Sequence, residues 1–443
     1  MAETERAKMT EAERAFTRAS VRALHEPHWL AEARDGALRA FEAEGLPDRK
    51  VEAFHFTDLK TLLRQPFPPL ANAAMRAARS VTHKALALRL GAHVVPVVNG
   101  LLSIDSAAGR ALPEGVELTP LREAIASTPE IARLAFDQEE RGRANSLRAL
   151  NTALARDGAV IRVRAGVKAP LIGIEHMASL EAQGSVHLRH LIVLEEGASA
   201  DVLEVFDNSG AASLTSAVTV ISLAAGARLR HAKLLKGDAQ TITLSRSDAR
   251  IGASANYRLF VQGAGAALAR EEVFARLDAE GGHFGLGGAL LLAGEKHFDL
   301  TARIEHAAPR SMSEMAARAV LAGHSKGVVQ GAVRVAPDAQ HTEANQQIRG
   351  LLLSDRGEFD SKPELEILAD DVKCAHGAAS GDLDHDAIFY LRSRGIPEDE
   401  ARALLVEAFL EQGLAGIENE TLRDFLREET RAWLKTLPEA RDA

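Results

Sequence analysis

The sequence predicts a mainly β protein whose core is a β-helix of parallel strands, with a helical region at each end. Three observations predict this fold class. Apolar and polar residues alternate with a period of two from about residue 158 to 380, turn glycines recur there every 26 to 29 residues, and both ends show helical spacing. A β-sandwich would give similar short alternating strands, so the pattern alone leaves it open as the alternative.

The N-terminal region, residues 1–155, is predicted to be helical and irregular. Apolar residues recur at helical spacing from Glu11 to Ala40 and again from Leu121 to Leu154. The proline-rich segment Gln65 to Leu70 is predicted to be a loop, because proline has no backbone N–H and cannot continue a helix.

The core, residues 156–380, is predicted to be the β-helix. Its alternating runs are Ala159–Arg164, Ser185–Leu194, Ala200–Phe206, Arg228–Leu234 and Gln240–Leu244. The turn glycines between such runs are Gly197, Gly226, Gly252 and Gly281. No helical pattern interrupts this stretch, which disfavours alternating βαβ units and favours coils that bury their inner faces only against neighbouring coils.

The C-terminal region, residues 381–443, is predicted to return to helix. Asp384 can cap a helix that Gly395 ends, and Pro397 with the acids after it can open the next helix. The predicted apolar face of that second helix is Ala401, Leu404, Leu405, Ala408 and Phe409. A final helix carries Leu422, Phe425, Leu426 and Trp433.

Composition excludes several classes of function. The 443 residues carry a net charge of −9 and only 4% aromatic residues, which argues against binding a nucleic-acid backbone or stacking bases. The N-terminus is charged, and no apolar run reaches the roughly 18 residues of a membrane span, so we expect a cytoplasmic protein with no membrane association. Phosphate-loop, GxSxG and HExxH motifs are missing from the sequence, so the chain is not expected to hydrolyse ATP itself.

The single cysteine is the sharpest candidate for chemistry. One thiol excludes an internal disulfide and a four-thiolate metal site built from this chain alone. On a strand, Cys374 and His376 would face the same side and could address one metal or one transferred sulfur. A small buried thiol with no role is the competing interpretation.

The other histidines are expected to lie in ordinary environments. His341 and Glu343 share a strand face, but a solvated strand edge explains them better than a metal site. His187 and His190 should fall on opposite faces of one strand and so cannot share a metal. Surface positions are predicted for His283, His297, His306 and His324.

Several segments resemble the SufB/SufD family, the scaffold proteins of the Suf iron–sulfur cluster assembly system. The resemblance is strongest at Asp370–Ala379, and the supporting segments are Gln340–Gln347, Leu351–Asp355, Lys362–Ile367, Ile388–Pro397 and Ala401–Phe409. Near the N-terminus, Lys50–Leu59 is similar to a segment of the SufD branch, with Phe54 and Phe56 at its aromatic positions. One cysteine and a chain under 450 residues also resemble SufD, with a SufB-like paralogue as the alternative.

The resemblance implies a right-handed parallel β-helix and a non-catalytic scaffold subunit. Such a subunit would pair with a SufB-like scaffold and a SufC-like ABC ATPase to build or transfer nascent clusters. It implies that Cys374 and His376 contribute to a cluster site shared with SufB, and that this chain alone binds no cofactor tightly. The implied ATPase-docking region is about Asp384 to Gln412, with candidate residues Phe389, Tyr390, Arg392, Arg394, Pro397, Leu404, Leu405 and Phe409.

Two further interpretations stay open at this point. A purely structural β-helix module with an inert cysteine fits the same pattern. A carbohydrate-active β-helix, such as a polysaccharide lyase, is disfavoured by the few aromatic residues and the charged N-terminus. Because β-helix edges need capping or pairing, the isolated chain is expected to be able to form a homodimer through the surface that would pair with SufB.

Overall fold

The computed structural model describes residues 9–16, 26–70, 82–137, 142–178, 184–208, 212–414 and 416–437. Over these residues the chain forms a parallel β-solenoid of about seven turns with helices at both ends. This confirms the fold class predicted from the period-two pattern and the recurring turns.

Helices occupy both ends of the described chain. They are α1 (Glu11–Arg14), α2 (His28–Glu44), α3 (Leu59–Leu62), α4 (Thr82–Leu90), α5 (Leu121–Ser127), α6 (Pro129–Ala132), α7 (Ser146–Leu154), α8 (His385–Ser393), α9 (Glu398–Leu414) and α10 (Glu420–Leu434). Short 3₁₀ turns lie at Glu52–Phe54, Ile104–Ser106, Arg133–Phe136 and Arg143–Asn145.

Strands fill the middle of the chain and part of the N-terminal region. The early strands are β1 (His93–Val98), β2 (Leu101–Leu102), β3 (Ala108–Gly109) and β4 (Val116–Pro120). The solenoid strands are β5 (Ala159–Val163), β6 (Lys168–Met177), β7 (Gly184–Leu194), β8 (Ser199–Asp207), β9 (Ser213–Leu223), β10 (Arg228–Lys236), β11 (Thr241–Ile251), β12 (Asn256–Ala264), β13 (Leu268–Leu277), β14 (His283–Ala293), β15 (His297–His306), β16 (Met312–Ala322), β17 (Lys326–Val335), β18 (Glu343–Leu352), β19 (Glu358–Ile367) and β20 (Lys373–Gly381).

Two parallel sheets face each other across the core. The even sheet runs β1, β6, β8 and so on to β20, and the odd sheet runs β5, β7 and so on to β19, with β4 antiparallel to β5. Each coil therefore contributes one strand to each sheet, and alternate residues of every strand point into the space between the sheets. That space is filled mostly by aliphatic and aromatic side chains, as the alternation predicts.

The corners between the sheets stack in register along the solenoid. One corner places Gly166, Gly197 and Gly226 at positive φ, each about one coil above the last. The backbone N–H of Gly197 donates to Ala225 O at 2.9 Å, and that of Gly226 donates to Ala253 O at 2.8 Å. These bonds tie successive turns together, and glycine suits the left-handed backbone that the turn requires.

The same left-handed corner position continues through the later coils. The residues that occupy it there are Ser254, Gly281, Arg310 and His341. In the fourth coil the left-handed residue is thus Ser254 and not the predicted turn glycine Gly252, which has no positive φ.

Helices cover the outer faces of both sheets. The N-terminal helices α2 and α7 pack on the odd sheet around Phe41, Leu150 and Leu214. The C-terminal helices pack on the even sheet, where Leu426 and Phe260 belong to one apolar cluster. Helix α4 reaches this second cluster through Arg89, whose guanidinium lies 4.5 Å from the ring centroid of Phe425 and pairs with Glu428 at 2.5 Å.

The five alternating runs predicted as strands are confirmed as β5, β7, β8, β10 and β11. The predicted helical stretch from Glu11 to Ala40 contains α1 and the start of α2, and residues 17–25 within it lie outside the described residues. Strands β1 to β4 were not predicted. The segment His93–Val98 is short, contains a proline and is apolar at successive positions, so it lacks the alternation that marks a half-buried strand.

The buried face of α9 differs from the predicted one. Leu404 is 43% exposed, and Ala408 is exposed as well. The side chains that are buried on α9 are Ala401, Val406, Leu410 and Leu414. Helix α9 carries apolar residues on several of its own faces. Helical spacing alone therefore cannot select the face that meets strands β14 and β16.

Candidate functional site

The last coil of the solenoid ends both sheets. Strand β19 is the final strand of the odd sheet, and β20 is the final strand of the even sheet. Within the described residues nothing pairs with their outer edges. This end of the molecule therefore presents two rows of backbone donors and acceptors for another chain.

Cys374 and His376 lie side by side on this last coil. The register of β20 on β18 places Cys374 opposite Ala344 and His376 opposite Gln346, both of which are buried. Cys374 and His376 thus share one face, as the two-residue spacing predicted, and this face is the inner side of the solenoid. Within the described part of the chain no further coil covers them, so Cys374 is only partly buried against the core and His376 is exposed.

The thiol of Cys374 is in its protonated form at neutral pH when the chain is alone. Partial burial raises its pKa, and the backbone of Ala344 offsets this only in part. An iron ligand must be a thiolate, so the site needs a bound cation or a partner to lower this pKa. One thiol and one imidazole also fall short of the ligands that an iron–sulfur cluster requires.

The free edge of β20 has little protection against pairing. After Lys373 and His376 the strand continues as Gly377 to Gly381, all small and uncharged residues. Lys373 N donates to Thr342 O at 2.9 Å, so alternate amides from Lys373 point toward β18 and those of Cys374, His376 and Ala378 point outward. Isolated domains usually guard such an edge with charges or proline. Of the two edge strands of the last coil, β19 contains a proline, Pro363, and β20 contains none.

The predicted docking residues divide into two groups in the structure. Phe389 is 73% exposed and Tyr390 is 57% exposed on α8, and Leu404 on α9 is 43% exposed. Arg394 stacks on Tyr390 with 5.1 Å from the guanidinium carbon to the ring centroid, while Arg392 pairs with Glu398 at 2.9 Å.

The second group packs against the protein's own solenoid. Leu405 and Phe409 are partly buried against the apolar cluster of the even sheet. The guanidinium of Arg318 on β16 lies 5.1 Å from the ring centroid of Phe409. Pro397 is exposed just before α9, where its carbonyl accepts from Ala401 N at 2.9 Å.

The surface prediction for the histidines is wrong for His306. This imidazole is fully buried, and its two nitrogens lie 2.7 Å from Ser311 Oγ and 2.8 Å from Ser313 Oγ. Burial lowers its pKa to about 4. His297 is also largely enclosed, and burial lowers its pKa to about 4, whereas His283 is half-buried and His324 is exposed.

His341 and Glu343 do not form a metal site with each other. His341 occupies a left-handed corner, and its Nδ1 lies 2.9 Å from Asp371 Oδ2. Glu343 begins β18 and pairs with Lys373 at 2.9 Å. These contacts tie the last coil to the one before it.

The segment Lys50–Leu59 docks on the outer face of the odd sheet. Phe54 is fully buried, with the guanidinium carbon of Arg270 4.0 Å from its ring centroid. Thr57 is buried too and donates to Asp299, which also pairs with Arg270. Phenylalanine therefore fills the aromatic position by packing and cation–π contact, without a polar handle.

A buried polar cluster lies inside the first coils and was missed by sequence reasoning. His176 of β6, His190 of β7 and Glu204 of β8 bring one ligand atom each within 4.8 Å of one another. All three side chains are almost fully buried. His187, on the opposite face of β7, packs outward with its ring centroid 5.8 Å from that of Phe16, which confirms that His187 and His190 cannot share a metal.

The cluster continues along the solenoid as a hydrogen-bonded chain. Glu204 Oε1 accepts from Thr219 Oγ1 at 2.8 Å and lies 3.0 Å from His231 Nε2. Lys233 lies beside Glu204 in the ladder and pairs with Glu271 at 3.1 Å. Burial opposes ionisation of Glu204, but the Lys233 charge and the two neighbouring imidazoles hold its pKa well below the usual range.

The sequence does contain a signal for this cluster. In Leu188–Leu194 the alternation puts His190 on the same face as Leu188 and Ile192, and a polar residue at an inward position of a buried strand needs a partner. The same rule identifies Glu204 between Val202 and Phe206.

Two sequence models of known families match this chain. The model described as "SUF system FeS cluster assembly, SufBD core domain" matches residues 177–409. The model described as "SufBD protein N-terminal region" matches residues 15–171. The chain belongs to the SufBD family of the SUF iron–sulfur cluster assembly system.

Proteins from bacteria and from a plant are similar to the chain. It is 28% identical to the iron–sulfur cluster assembly protein SufD of Escherichia coli strain K12 over 91% of this chain and 95% of that protein. It is 32% identical to the chloroplastic protein ABCI7 of Arabidopsis thaliana over 56% of this chain and 52% of that protein. It is 28% identical to SufB of Bacillus subtilis strain 168 over 60% of this chain and 58% of that protein. SufD-like features thus extend over nearly the whole chain.

None of the helices among the described residues has both the length and the apolar composition needed to span a bilayer.

Proposed function

We propose that this chain is the SufD-like scaffold subunit of a cytoplasmic Suf assembly complex, in which it pairs with a SufB-like scaffold and a SufC-like ATPase. It builds or transfers nascent iron–sulfur clusters and catalyses no reaction itself. The observation that carries the proposal is the position of Cys374 and His376 beside the unpaired edge of β20.

The proposed cluster site is shared between two chains, and this chain supplies only part of its ligands. Cys374 supplies one thiolate, and His376 supplies a neutral imidazole as ligand or proton acceptor. The remaining ligands come from the SufB-like partner, because this chain has no second cysteine. Pairing also removes water from the last coil and brings the partner's groups toward the thiol, which supplies the change in surroundings that thiolate formation needs.

The proposed pairing mode is addition of a partner strand to β20. Outward amides of Cys374, His376 and Ala378 would donate to the partner's carbonyls, and the small residues of β20 would allow close approach. A strand added here runs directly past Cys374 and His376. The same edge would pair two copies when the chain is alone.

The pairing mode is tested with one proline. Ala378→Pro removes an outward N–H and leaves the bonds to β18 in place, so the chain should fold while its association with the SufB-like protein weakens strongly. Ala378→Val keeps the N–H and serves as the matched control. Association is measured by co-purification from co-expression and by calorimetry. Equal binding of the two variants would exclude strand addition at β20.

Cluster assembly is tested in the same co-expressed complex. Anaerobic purification through a tag on the SufC-like protein gives the iron and sulfide content of the complex. His376→Ala and Cys374→Ser should lower both contents while the three subunits still co-purify, and His28→Ala, at an exposed histidine on α2, should not. Full cluster content in the His376→Ala complex would remove His376 from the site.

The proposed ATPase contact includes the exposed apolar side chains of Phe389 and Tyr390 on α8 and of Leu404 on α9. Large apolar side chains at these exposures suit a protein interface. Phe389→Ala with Tyr390→Ala should abolish capture of the SufC-like protein and leave the SufB-like partner bound. Leu88→Ala, at a residue 86% exposed on α4, is the matched control. If the double variant still captures the SufC-like protein, the ATPase contact lies elsewhere on the chain.

A purely structural role with an inert cysteine is the second candidate. Its support is the partial burial of Cys374 and its raised pKa. Thiol alkylation distinguishes the two: the scaffold proposal expects the reaction rate of Cys374 to change when the SufB-like partner binds. A thiol that is unreactive alone and in the complex favours the structural role.

A further inference from the structure

The inside of the first coils contains polar atoms without hydrogen-bond partners among the described residues. They are both ring nitrogens of His176, Nε2 of His190 and Oε2 of Glu204. His176 Nε2 and Glu204 Oε2 are 3.7 Å apart, which is beyond hydrogen-bond length. Burying such atoms unpaired is unfavourable, so a group that satisfies them together would stabilise this region.

The same interior holds two buried carboxylates, Glu204 and Glu271. Lys233 pairs with Glu271 at 3.1 Å, and Glu204 Oε1 lies 3.0 Å from His231 Nε2, whereas Glu204 Oε2 has no hydrogen-bond partner among the described residues. A cation bound next to Glu204 Oε2 would satisfy this oxygen.

From these two observations we infer a binding site for one divalent transition-metal ion, such as Zn²⁺ or Fe²⁺, formed by His176, His190 and Glu204. Two imidazoles and one carboxylate are a common donor set for such ions. Ligands about 2.1 Å from a tetrahedral ion lie about 3.4 Å from one another, so the three atoms, now within 4.8 Å, need only a small contraction.

The surroundings fix which ligand atoms face the ion. Ala159 N donates to His190 Nδ1 at 2.9 Å, so Nε2 is the nitrogen that faces the cluster and carries the ring proton in the metal-free chain. The ion takes the place of this proton, which leaves to solvent. The imidazolate and the Glu204 carboxylate then balance the two charges of the ion. His176 is held by stacking on Phe206, with 4.1 Å between ring centroids.

The ion would join the two sheets at the start of the solenoid. His176 and Glu204 belong to the even sheet and His190 to the odd sheet. The site lies in the first coils, far along the chain from Cys374, and the inference does not depend on the proposed function. Because the ligands are enclosed, the ion must enter while the chain folds.

The test is performed on the full chain carrying Cys374→Ala and His376→Ala, so that the last coil cannot contribute metal. Expression in defined medium with Co²⁺ should give about one cobalt per chain, with visible absorption bands of a nitrogen- and oxygen-ligated ion. In that background, His176→Phe keeps the stack on Phe206 and removes both nitrogens. His190→Asn keeps an acceptor for Ala159 N and removes Nε2.

Both variants should lose the cobalt and its absorption bands. His187→Asn, at a buried histidine on the same strand but the opposite face, should retain them. Circular dichroism establishes that each variant is folded, and Glu204→Gln provides a third test if one histidine variant fails to fold. A folded background chain without cobalt, or equal cobalt in the ligand variants and His187→Asn, would overturn the inference.

Discussion

At the scale of single residues, the buried contacts of the N-terminal segment explain how a short stretch of chain is fixed to the solenoid. Phe54 has no exposed surface and lies under Arg270, which also pairs with Asp299. Its neighbour His55 is exposed. Phe54 therefore contributes packing energy, while His55 contributes little.

We expect Phe54→Ala to lower the free energy of unfolding by about 3 to 5 kcal/mol, because it removes a buried ring and leaves a cavity beside a charged guanidinium. His55→Ala should change it by less than about 0.5 kcal/mol. Urea unfolding followed by circular dichroism measures both. A small effect at Phe54 would mean that the segment is not docked in solution.

His306 gives the fold a dependence on pH. Its folded pKa of about 4 lies below the roughly 6.5 of an unfolded histidine, so the unfolded chain takes up the proton first as the pH falls. The contribution of His306 to the free energy of unfolding is fully present above about pH 6.5. It decreases as the pH falls from about 6.5 to 4, by roughly 3 kcal/mol in total.

His306→Gln should remove that part of the acid sensitivity, because an amide can still bond to Ser311 and Ser313 and does not titrate. The measurement is the unfolding free energy of both proteins at several pH values from 7 to 4. Parallel curves for variant and wild type would show that His306 is not the group responsible.

At the scale of elements, substitutions at different stacked corners should change the stability of the chain in opposite directions. Gly226 and Arg310 both have positive φ, but only glycine adopts this backbone without a steric cost. We expect Gly226→Ala to destabilise the chain by about 1 to 2 kcal/mol and Arg310→Gly to stabilise it by about 0.5 to 1 kcal/mol. Thermal unfolding measures both, and effects of the same sign would contradict this account of the corner.

The strands were predictable because one inward face per strand enforces a period of two, as in Ser185–Leu194. The short β1 could not be found in this way, since neighbouring elements cover it on both faces. The face of α9 could not be chosen either, because Leu404 and Val406 are equally apolar and only the contact with the even sheet decides between them.

The candidate site was predictable in part. The pair Cys374 and His376 follows from strand spacing, and the structure places both on the inner side of the last coil. That this coil is the open end of both sheets depends on the number of turns and on the absence of a further strand, which no local pattern contains. The inner cluster at His176 needed the three-dimensional register of β6, β7 and β8.

At the scale of the whole molecule, helix α4 of the N-terminal region contacts helix α10 of the C-terminal region on one side of the solenoid. Arg89 of α4 lies over Phe425 of α10 and pairs with Glu428 and Glu429. The strands of the first coil have neighbours on both edges, since β5 lies between β4 and β7 and β6 lies between β1 and β8, whereas β19 and β20 each pair with one strand only among the described residues.

This asymmetry predicts a gradient of hydrogen exchange. Ladder amides of β20, such as those of Ala375 and Gly377, should exchange faster than the equivalent amides of β10, because stability in a solenoid comes from neighbouring coils. Mass spectrometry of exchanged peptides measures this, and binding of the SufB-like partner should slow exchange in β20. Uniform protection along the solenoid would contradict the gradient.

The open last coil has a thermodynamic consequence. A coil with one neighbour gains only half of the interface energy of an inner coil, so the ordering of Cys374 and His376 is linked to whatever docks on β20. In the proposed complex, the partner that completes the ligands would by this linkage also supply the free energy that holds them in place. The unassembled subunit would then present Cys374 and His376 in a less ordered arrangement, which would limit the capture of stray metal until assembly has taken place.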